Sequence, residues 1–470
     1  MKFRQNREEN LADKNLKIVL IKPTIGTKLH SLYVDEGRME PLPLGVIAGI
    51  LPQKVEISMY DDRMERINYD NPCDIVMITV ETYTAKRAYE IAEEYKKRNV
   101  TVIMGGMHAT LIPEETMEHC DCVITGDAEN ILNEVINDYK NGCLKKIYEG
   151  NVSIPPQKNF TPMRELYKGK GYLPVSLLQF SRGCIYNCNY CAVSRYFDKN
   201  HYCREVKDVI KEIEQQERKT LFFVDDNFTA NRTKVKELLK ALIPLKVRWV
   251  SQGSIDMLYD DELMELIVKS GCIGFIIGFE SIREDSLDCM GKKVNKIHGF
   301  DKYKKEVERL RYWGLQTWAA FTLGHDTDTL ESIKATCDFA LENKFTFAAY
   351  NILMPYPNTP LYNKLKSENR LLYNGKWWLD DTYRFNDAAF IPKNMTPEEL
   401  TNAAFECRRR FNCFSSFVYR MFEPHTNAAS LERFIFYLIY NPLFRKEVYK
   451  KQGMMFGLNR YFERKNNVKR

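Results

Sequence analysis

A chain of 470 residues has room for two or three domains. Its 44% apolar share excludes global disorder, and Lys+Arg 69 against Asp+Glu 63 is too slight an excess to demand a nucleic-acid partner. No apolar run is long enough for a bilayer helix, residues 1–15 lack the apolar core of a secretory signal, and thirteen cysteines is an odd count, so a cytoplasmic setting with reduced thiols is expected.

The first 150 residues alternate strand and helix patterns. Residues 16–23 (LKIVLIKP), 55–60, 74–80, 100–106 and 122–126 read as strands, and 43–51, 84–98 and 130–139 as helices. Within 84–98, Ala85, Ala88, Ile91 and Tyr95 fall on one helical face. This order predicts an α/β fold, a doubly wound flavodoxin- or Rossmann-like parallel sheet of about five strands. Such sheets bind ligands at the carboxyl ends of their strands, which here carry Thr82 to Thr84, Gly105 to His108 and Gly126 to Glu129. Residues 151–176 are Pro-rich and weakly periodic, a linker. A second series of strands, at 175–180, 220–224, 247–252, 274–279, 317–323 and 346–353, alternates with helical patterns. Six units fit a partial (β/α)6 barrel better than a closed eightfold one. After it come the WWLDD run from Trp377, a capped helix start at Thr396 and a basic, aromatic tail, together a helical C-terminal module. The expected divisions are 1–150, 151–176, 177–365 and 366–470.

Ten cysteines are scattered and read as small apolar core residues. Cys184, Cys188 and Cys191 instead share one short loop after Ser181-Arg182-Gly183. Three thiolates so placed can hold three corners of an iron–sulfur cube and leave the fourth iron open to a ligand. A zinc site is the competing reading, but structural zinc wants four protein ligands, and the nearest extra groups are His201 and Cys203.

Cys-x3-Cys-x2-Cys with the aromatic Tyr190 before the last cysteine resembles the radical S-adenosylmethionine (SAM) superfamily. The resemblance implies a [4Fe–4S] cluster on Cys184, Cys188 and Cys191. It also implies SAM on the open iron, Tyr190 against its adenine, and reductive cleavage of SAM to a 5′-deoxyadenosyl radical. It extends to FVDDNF at 223–228, placing Asp226 and Asn227 at the methionine end of SAM. From the residues alone, Asp225 and Asp226 read equally as a helix N-cap before Thr233. The later barrel strands match at Gln252, at Glu280 and Ser281 near the SAM ribose or amino group, and at Gly324, where the backbone comes close. The first domain resembles the cobalamin-binding domain fused to one branch of the family, implying corrin contacts from Thr82, Thr84, Gly105, Gly106, His108, Gly126 and Glu129. The Asp-x-His-x-x-Gly motif that gives cobalt a histidine is absent, and His108 itself reads as a solvent-facing loop residue. The tail is similar to those of the anaerobic Mg-protoporphyrin cyclase and hopanoid-modifying subgroup.

The implied activity is that of a cobalamin-dependent radical SAM enzyme methylating an unactivated carbon of a large, partly apolar small molecule or lipid. The alternatives are radical SAM chemistry without methyl transfer (ring closure, dehydration, carbon–carbon coupling) and a zinc- or cluster-bearing nucleic-acid binding protein supported by the basic tail. The leading reading implies an electron donor of the flavodoxin or ferredoxin type and no nucleic acid. On a tail helix, Phe434, Leu438 and Phe444 share one side, flanked by Arg445, Lys446, Lys450 and Lys451. That pattern suits peripheral contact with an anionic membrane, or simple packing of the aromatics onto the barrel.

Overall fold

A computed structural model describes residues 15–28, 38–152, 160–292, 294–295 and 303–458; the polar N-terminal stretch lies outside them, apart from Asn15. The first sheet is built from β1 (Lys17–Lys22), β2 (Glu56–Asp61), β3 (Ile75–Thr79), β4 (Thr101–Gly105), β5 (Cys122–Thr125) and β6 (Ile147–Glu149). All pairs are parallel, in the order β2-β1-β3-β4-β5-β6, one strand more than expected. Both faces are covered, and the period of two divides each strand between two cores. Val19, Ile21, Val76 and Ile78 face one side, and Ile18, Leu20, Ile75 and Met77 the other. On the first side lies the helix Ala85–Lys96, whose Ala85, Ala88, Ile91 and Tyr95 are fully buried as their spacing predicts.

The second sheet comprises β7 (Ser176–Leu178), β8 (Thr220–Phe223), β9 (Arg248–Gly253), β10 (Cys272–Glu280), β11 (Gln316–Leu323) and β12 (Phe347–Ile352). It is wholly parallel and runs in sequence order, with β7 and β12 at opposite edges, so the barrel is open. The core between this sheet and its helices is aromatic: Phe228 and Trp249 each make ring contacts with Phe223, Phe275 and one another, among Val209, Val235, Leu238 and Leu263 of the covering helices.

The C-terminal segment joins the two sheets. Trp377, Trp378, Tyr383 and Phe456 complete the core on one face of the first sheet, whereas Phe390, Leu400, Ala404 and Phe411 pack into the barrel core. The helix Pro397–Phe411 starts at Thr396 with the expected capping box to Glu399. The segment read as a linker is partly built into the core: Tyr167 and Tyr172 are buried under the first sheet, and Arg164 ion-pairs with Glu40 and Glu212.

The basic tail is not a surface stripe. Arg408 donates to the carbonyl of Tyr350. Arg420, 1% exposed, donates to the carbonyls of Phe345, Thr346 and Phe411. Arg409 and Arg410 pair with Glu406 and Asp338. Arg408 and Arg420 are thus spent inside the protein, Arg409 and Arg410 are paired at its surface, and Arg445 and Lys446 stay exposed on the tail helix. The tail helix, Leu431–Lys451, divides its apolar residues between two faces. Phe444 packs on Trp318 and Phe347 with ring centroids 4.5 and 4.8 Å apart. Leu438 instead turns outward with Leu431, Ile435 and Ile439, so Leu438 and Phe444 do not share a side as expected. No helix among the described residues is long and apolar enough to cross a membrane.

Candidate cofactor site at the strand ends

The cysteine loop leaves the end of β7 through the short strand Ser181–Gly183, which pairs antiparallel with His201–Cys203. Gly183 has φ +81°, and a Cβ there would lie 2.0 Å from the Asn200 carbonyl oxygen, so only glycine fits this entry to Cys184. The loop returns to a helix, Ala192–Tyr196, straight after Cys191.

Asp225 and Asp226, at the end of β8, hold the loop in place. Asp225 is fully buried and accepts from the amides of Phe180 (3.1 Å) and Ser181 and from the Ser181 hydroxyl (2.5 Å). Burial, only partly offset by these donors, pushes its carboxyl up to about 7. Asp226 accepts from the Gly183 amide at 2.8 Å, and Asn227 points its amide at the Cys184 sulfur (3.9 Å) and the Ser254 hydroxyl (3.0 Å). The N-cap reading of the aspartates is therefore corrected: Asn231 caps the helix Arg232–Leu242, accepting from the Lys234 amide. Asp225 and Asp226 are straps under the cysteine loop.

The three thiols lie close enough to act on one another. Burial raises Cys184, and the neighbouring Cys191 adds to that shift; burial raises Cys188 to about 11. Among the described residues, no three His, Cys, Asp or Glu side chains converge on a point for a single metal ion, as a closed zinc site would require. Three thiols on one loop, with an amide donor on Cys184, fit the corner ligands of a cluster.

Beside the loop, Glu280 ends β10 in a left-handed conformation (φ +62°), at a register shift after Gly278. It ion-pairs with Lys292 at 2.9 Å and accepts from the Thr322 hydroxyl at 2.6 Å. Burial alone would raise its carboxyl, but Lys292 and the hydrogen bonds outweigh burial and hold it below the usual carboxylate range. Burial likewise opposes the Lys292 charge, but Glu280 more than offsets it, and the ammonium also faces Tyr190 and Cys188. Ser281 is buried and accepts from the Arg283 amide; Gln252 is half-buried at the end of β9. Two buried polar atoms nearby have no protein partner, Nε2 of His325 at the end of β11 and Oδ1 of Asn295. Unsatisfied polar atoms at these strand ends fit a polar ligand such as SAM. Gly324 is close-packed for another reason: a Cβ there would lie 2.6 Å from Leu400 of the C-terminal segment. Lys292 and His325 belong to no periodic pattern; His325 stands in the run Leu323 to Thr329 that resembles the fifth barrel strand of the family, and Lys292 carries no signal in the sequence.

At the first sheet the expected cobalamin residues separate. Gly105, Gly106 and Gly126 lie at the carboxyl edge, Gly106 and Gly126 with φ +108° and +64°. Thr82, Thr84 and His108 are turned inward. The Thr84 hydroxyl closes a capping box with Glu81. His108 is fully buried, its Nδ1 3.3 Å from the Thr82 hydroxyl and its Nε2 3.2 Å from Glu115, which corrects its reading as a solvent-facing residue. Glu115 also accepts from the Tyr89 hydroxyl and the Trp378 indole. Glu129 pairs with Arg182. The three glycines leave this edge free of side chains, and both nitrogens of His108 are engaged within the first unit.

Comparison with known proteins identifies the two domains and the family. The Radical SAM superfamily matches residues 178–340, and the B12 binding domain matches residues 33–136. A bacteriochlorophyllide d C-12(1)-methyltransferase from Chlorobaculum tepidum is 30% identical over 419 residues, 86% of this chain and 89% of the relative. The C-8(2)-methyltransferase of the same organism is 28% identical over 435 residues, 87% of this chain and 90% of the relative. The structure of the radical SAM methyltransferase TsrM from Kitasatospora setae, with cobalamin and a [4Fe-4S] cluster bound, superimposes with a TM-score of 0.59 at 18% identity, over 76% of this chain and 78% of that one. The chain belongs to the radical SAM enzymes that carry a B12-binding domain, of the cobalamin-dependent methyltransferase type, and its cofactors are a [4Fe–4S] cluster, SAM and cobalamin.

Proposed function

We propose that this protein methylates a carbon atom of a large, partly apolar small molecule of the tetrapyrrole or polycyclic-lipid class. The observation that carries the reading is the near full-length relation to two methyltransferases named for bacteriochlorophyllide d. Bound together, the three cofactors supply hydrogen-atom abstraction and methyl donation at carbon. In this reading Cys184, Cys188 and Cys191 hold the cluster, Asn227 donates to Cys184, and Asp225 and Asp226 keep the loop in shape. Tyr190, Gln252, Glu280, Ser281 and the Lys292 ammonium, which is paired with Glu280, form the SAM side of the site. Gly105, Gly106 and Gly126 form the corrin side. The test is anaerobic reconstitution with iron, sulfide, SAM and hydroxocobalamin, then incubation with bacteriochlorophyllides and with apolar extracts. Enzyme-dependent gain of one methylene unit in mass supports the reading. Deoxyadenosine formation with a product of unchanged carbon count supports ring closure, dehydration or coupling instead.

We also infer a reductant of the flavodoxin or ferredoxin type, a cytoplasmic setting, and contact with an anionic membrane through the tail helix. The support for membrane contact is the outward stripe Leu431, Ile435, Leu438 and Ile439, continued by exposed Arg445 and Lys446. Each basic group near such a surface contributes about 1 kcal/mol. Co-sedimentation with phosphatidylserine vesicles should fall at high salt and in an Ile435→Glu, Ile439→Glu variant. Equal sedimentation of the variant and the parent chain would rule the stripe out.

A further inference from the structure

The aspartate and glutamate of the Gly126-Asp127-Ala128-Glu129 turn do not face an open cleft. They meet Arg182, two residues before Cys184. Nη1 of Arg182 donates to Asp127 at 2.8 Å, Nη2 donates to Glu129, and Nε donates to the Gln179 side chain at 2.7 Å. The three charged side chains are 18%, 11% and 7% exposed. Asp127 is also reached from the other end of the cysteine loop: the hydroxyl of Tyr196, on the helix that follows Cys191, donates to it at 3.2 Å. Tyr202, on the strand paired with 181–183, donates to it as well. One carboxylate of the first sheet thus holds the chain on both sides of the cluster-binding loop.

Neither end of this contact is loose. A Cβ on Gly126 would lie 2.2 Å from the Gly150 carbonyl oxygen, so the turn bearing the acids is packed tightly on its own sheet. The Arg182 end is fixed by Asp226 on the Gly183 amide and by Asp225 on Ser181. The helix Met107–Leu111 of the first unit packs against Ala192–Tyr196 beside the same contact. A buried ion pair is weak evidence of stability, because desolvation consumes most of its Coulomb gain; its best-attested use is to fix register. Arginine suits that use because its rigid fork engages two acceptors in one geometry, which a lysine does not do.

We propose that the Arg182–Asp127–Glu129 clasp is a positioning device that sets the separation and orientation of the cluster site relative to the corrin site. The proposal rests on the cofactor assignment above and adds roles for Arg182, Asp127 and Glu129 that need no contact with a cofactor. The positioning matters because a radical made at one site must be met by a methyl group held at the other. A misplacement of about 1 Å in such an alignment costs about a hundredfold in rate.

The test uses the full chain, loaded with its cluster and hydroxocobalamin and reduced so that both cluster and cobalt are paramagnetic. The readout is the relaxation enhancement of the cob(II)alamin electron-spin signal by the reduced cluster, which reports their separation without any substrate. Iron and corrin contents are measured on the same samples. Arg182→Lys, Asp127→Asn and Glu129→Gln should keep both cofactors and weaken the enhancement several-fold. Arg87→Lys, which alters a buried pair with Asp62 inside the first unit, should leave it unchanged. Wild-type enhancement in all three clasp variants with both cofactors bound would overturn the proposal. If Arg182→Lys or Asp127→Asn loses iron, Glu129→Gln decides alone, and an unchanged signal there counts against the clasp. A wild-type chain that takes up iron but no corrin refutes the cofactor assignment, and the proposal with it.

Discussion

Asp225→Ala should uncouple the cysteine loop from the barrel without touching a cluster ligand. The carboxylate accepts three hydrogen bonds, two of them from the backbone amides of Phe180 and Ser181, and the site is fully buried. Alanine leaves both amides without an acceptor and opens no route for bulk water. An unsatisfied buried donor costs about 1–3 kcal/mol, so the two together cost about 2–6 kcal/mol. For a unit of this size each kcal/mol is worth about 2–4 °C, which puts the expected loss in melting temperature at about 4–24 °C. The loss should concentrate in the loop, so iron retained after anaerobic reconstitution and gel filtration should drop more steeply than overall helicity. The assay pairs thermal unfolding by circular dichroism with iron and sulfide analysis, and includes Asp225→Asn, whose one carbonyl oxygen keeps part of the strap and should fall between. An alanine variant within 1 °C of wild type and with full iron content would refute the strap.

The same carboxyl makes a pH prediction. Its folded pKa, about 7, lies above the ordinary aspartate value of 3.8, so the folded chain holds this proton more tightly than the unfolded chain. Its contribution is therefore complete below pH 4 and is lost as the pH rises through about 7; urea midpoints of wild type relative to Asp225→Asn should fall across that window. Glu280→Gln leaves the Lys292 ammonium buried beside Tyr190 without its counter-charge, a change that costs about 3–5 kcal/mol and should weaken SAM binding in equilibrium dialysis. Alanine at any one of Cys184, Cys188 or Cys191 should abolish reductive SAM cleavage, read as deoxyadenosine by mass spectrometry; a Cys184→Ala protein still forming it would refute the cluster assignment. On the tail helix, Phe444→Ala should destabilise the chain by about 2–4 kcal/mol in urea titration, because it empties a contact with Trp318 and Phe347. Ile439→Ser, on the exposed face, should change stability by less than about 0.5 kcal/mol. A bulky residue at Gly106 is a poor probe of corrin binding: with φ +108° and the Val80 carbonyl oxygen 2.9 Å from its Cβ position, any side chain strains the sheet edge itself.

The alternation of short β-branched runs with amphipathic helices was enough to specify two parallel sheets, because the periods of 2 and 3.6 are local properties of the chain. The residues of 84–98 illustrate this: their spacing predicted the buried face, and burial followed it. The cysteine triplet was legible for a related reason, since three ligands within eight residues must share a neighbourhood in any fold. What the side chains do at the strand ends was decided only by the tertiary structure. Thr82, His108 and Glu129 stand in the right motifs for a cofactor, yet Thr82 and His108 bond each other inside the first unit and Glu129 reaches across 53 residues to Arg182. Asp225 and Asp226 looked like caps for the next helix, but their acceptors are used 43 to 45 residues upstream. Arg408 and Arg420 read as surface charge, and a cluster of backbone carbonyls from distant segments drew them inside. A polar side chain takes whichever partner the packed chain brings within 3 Å, and sequence pattern carries that information only for partners a few residues away.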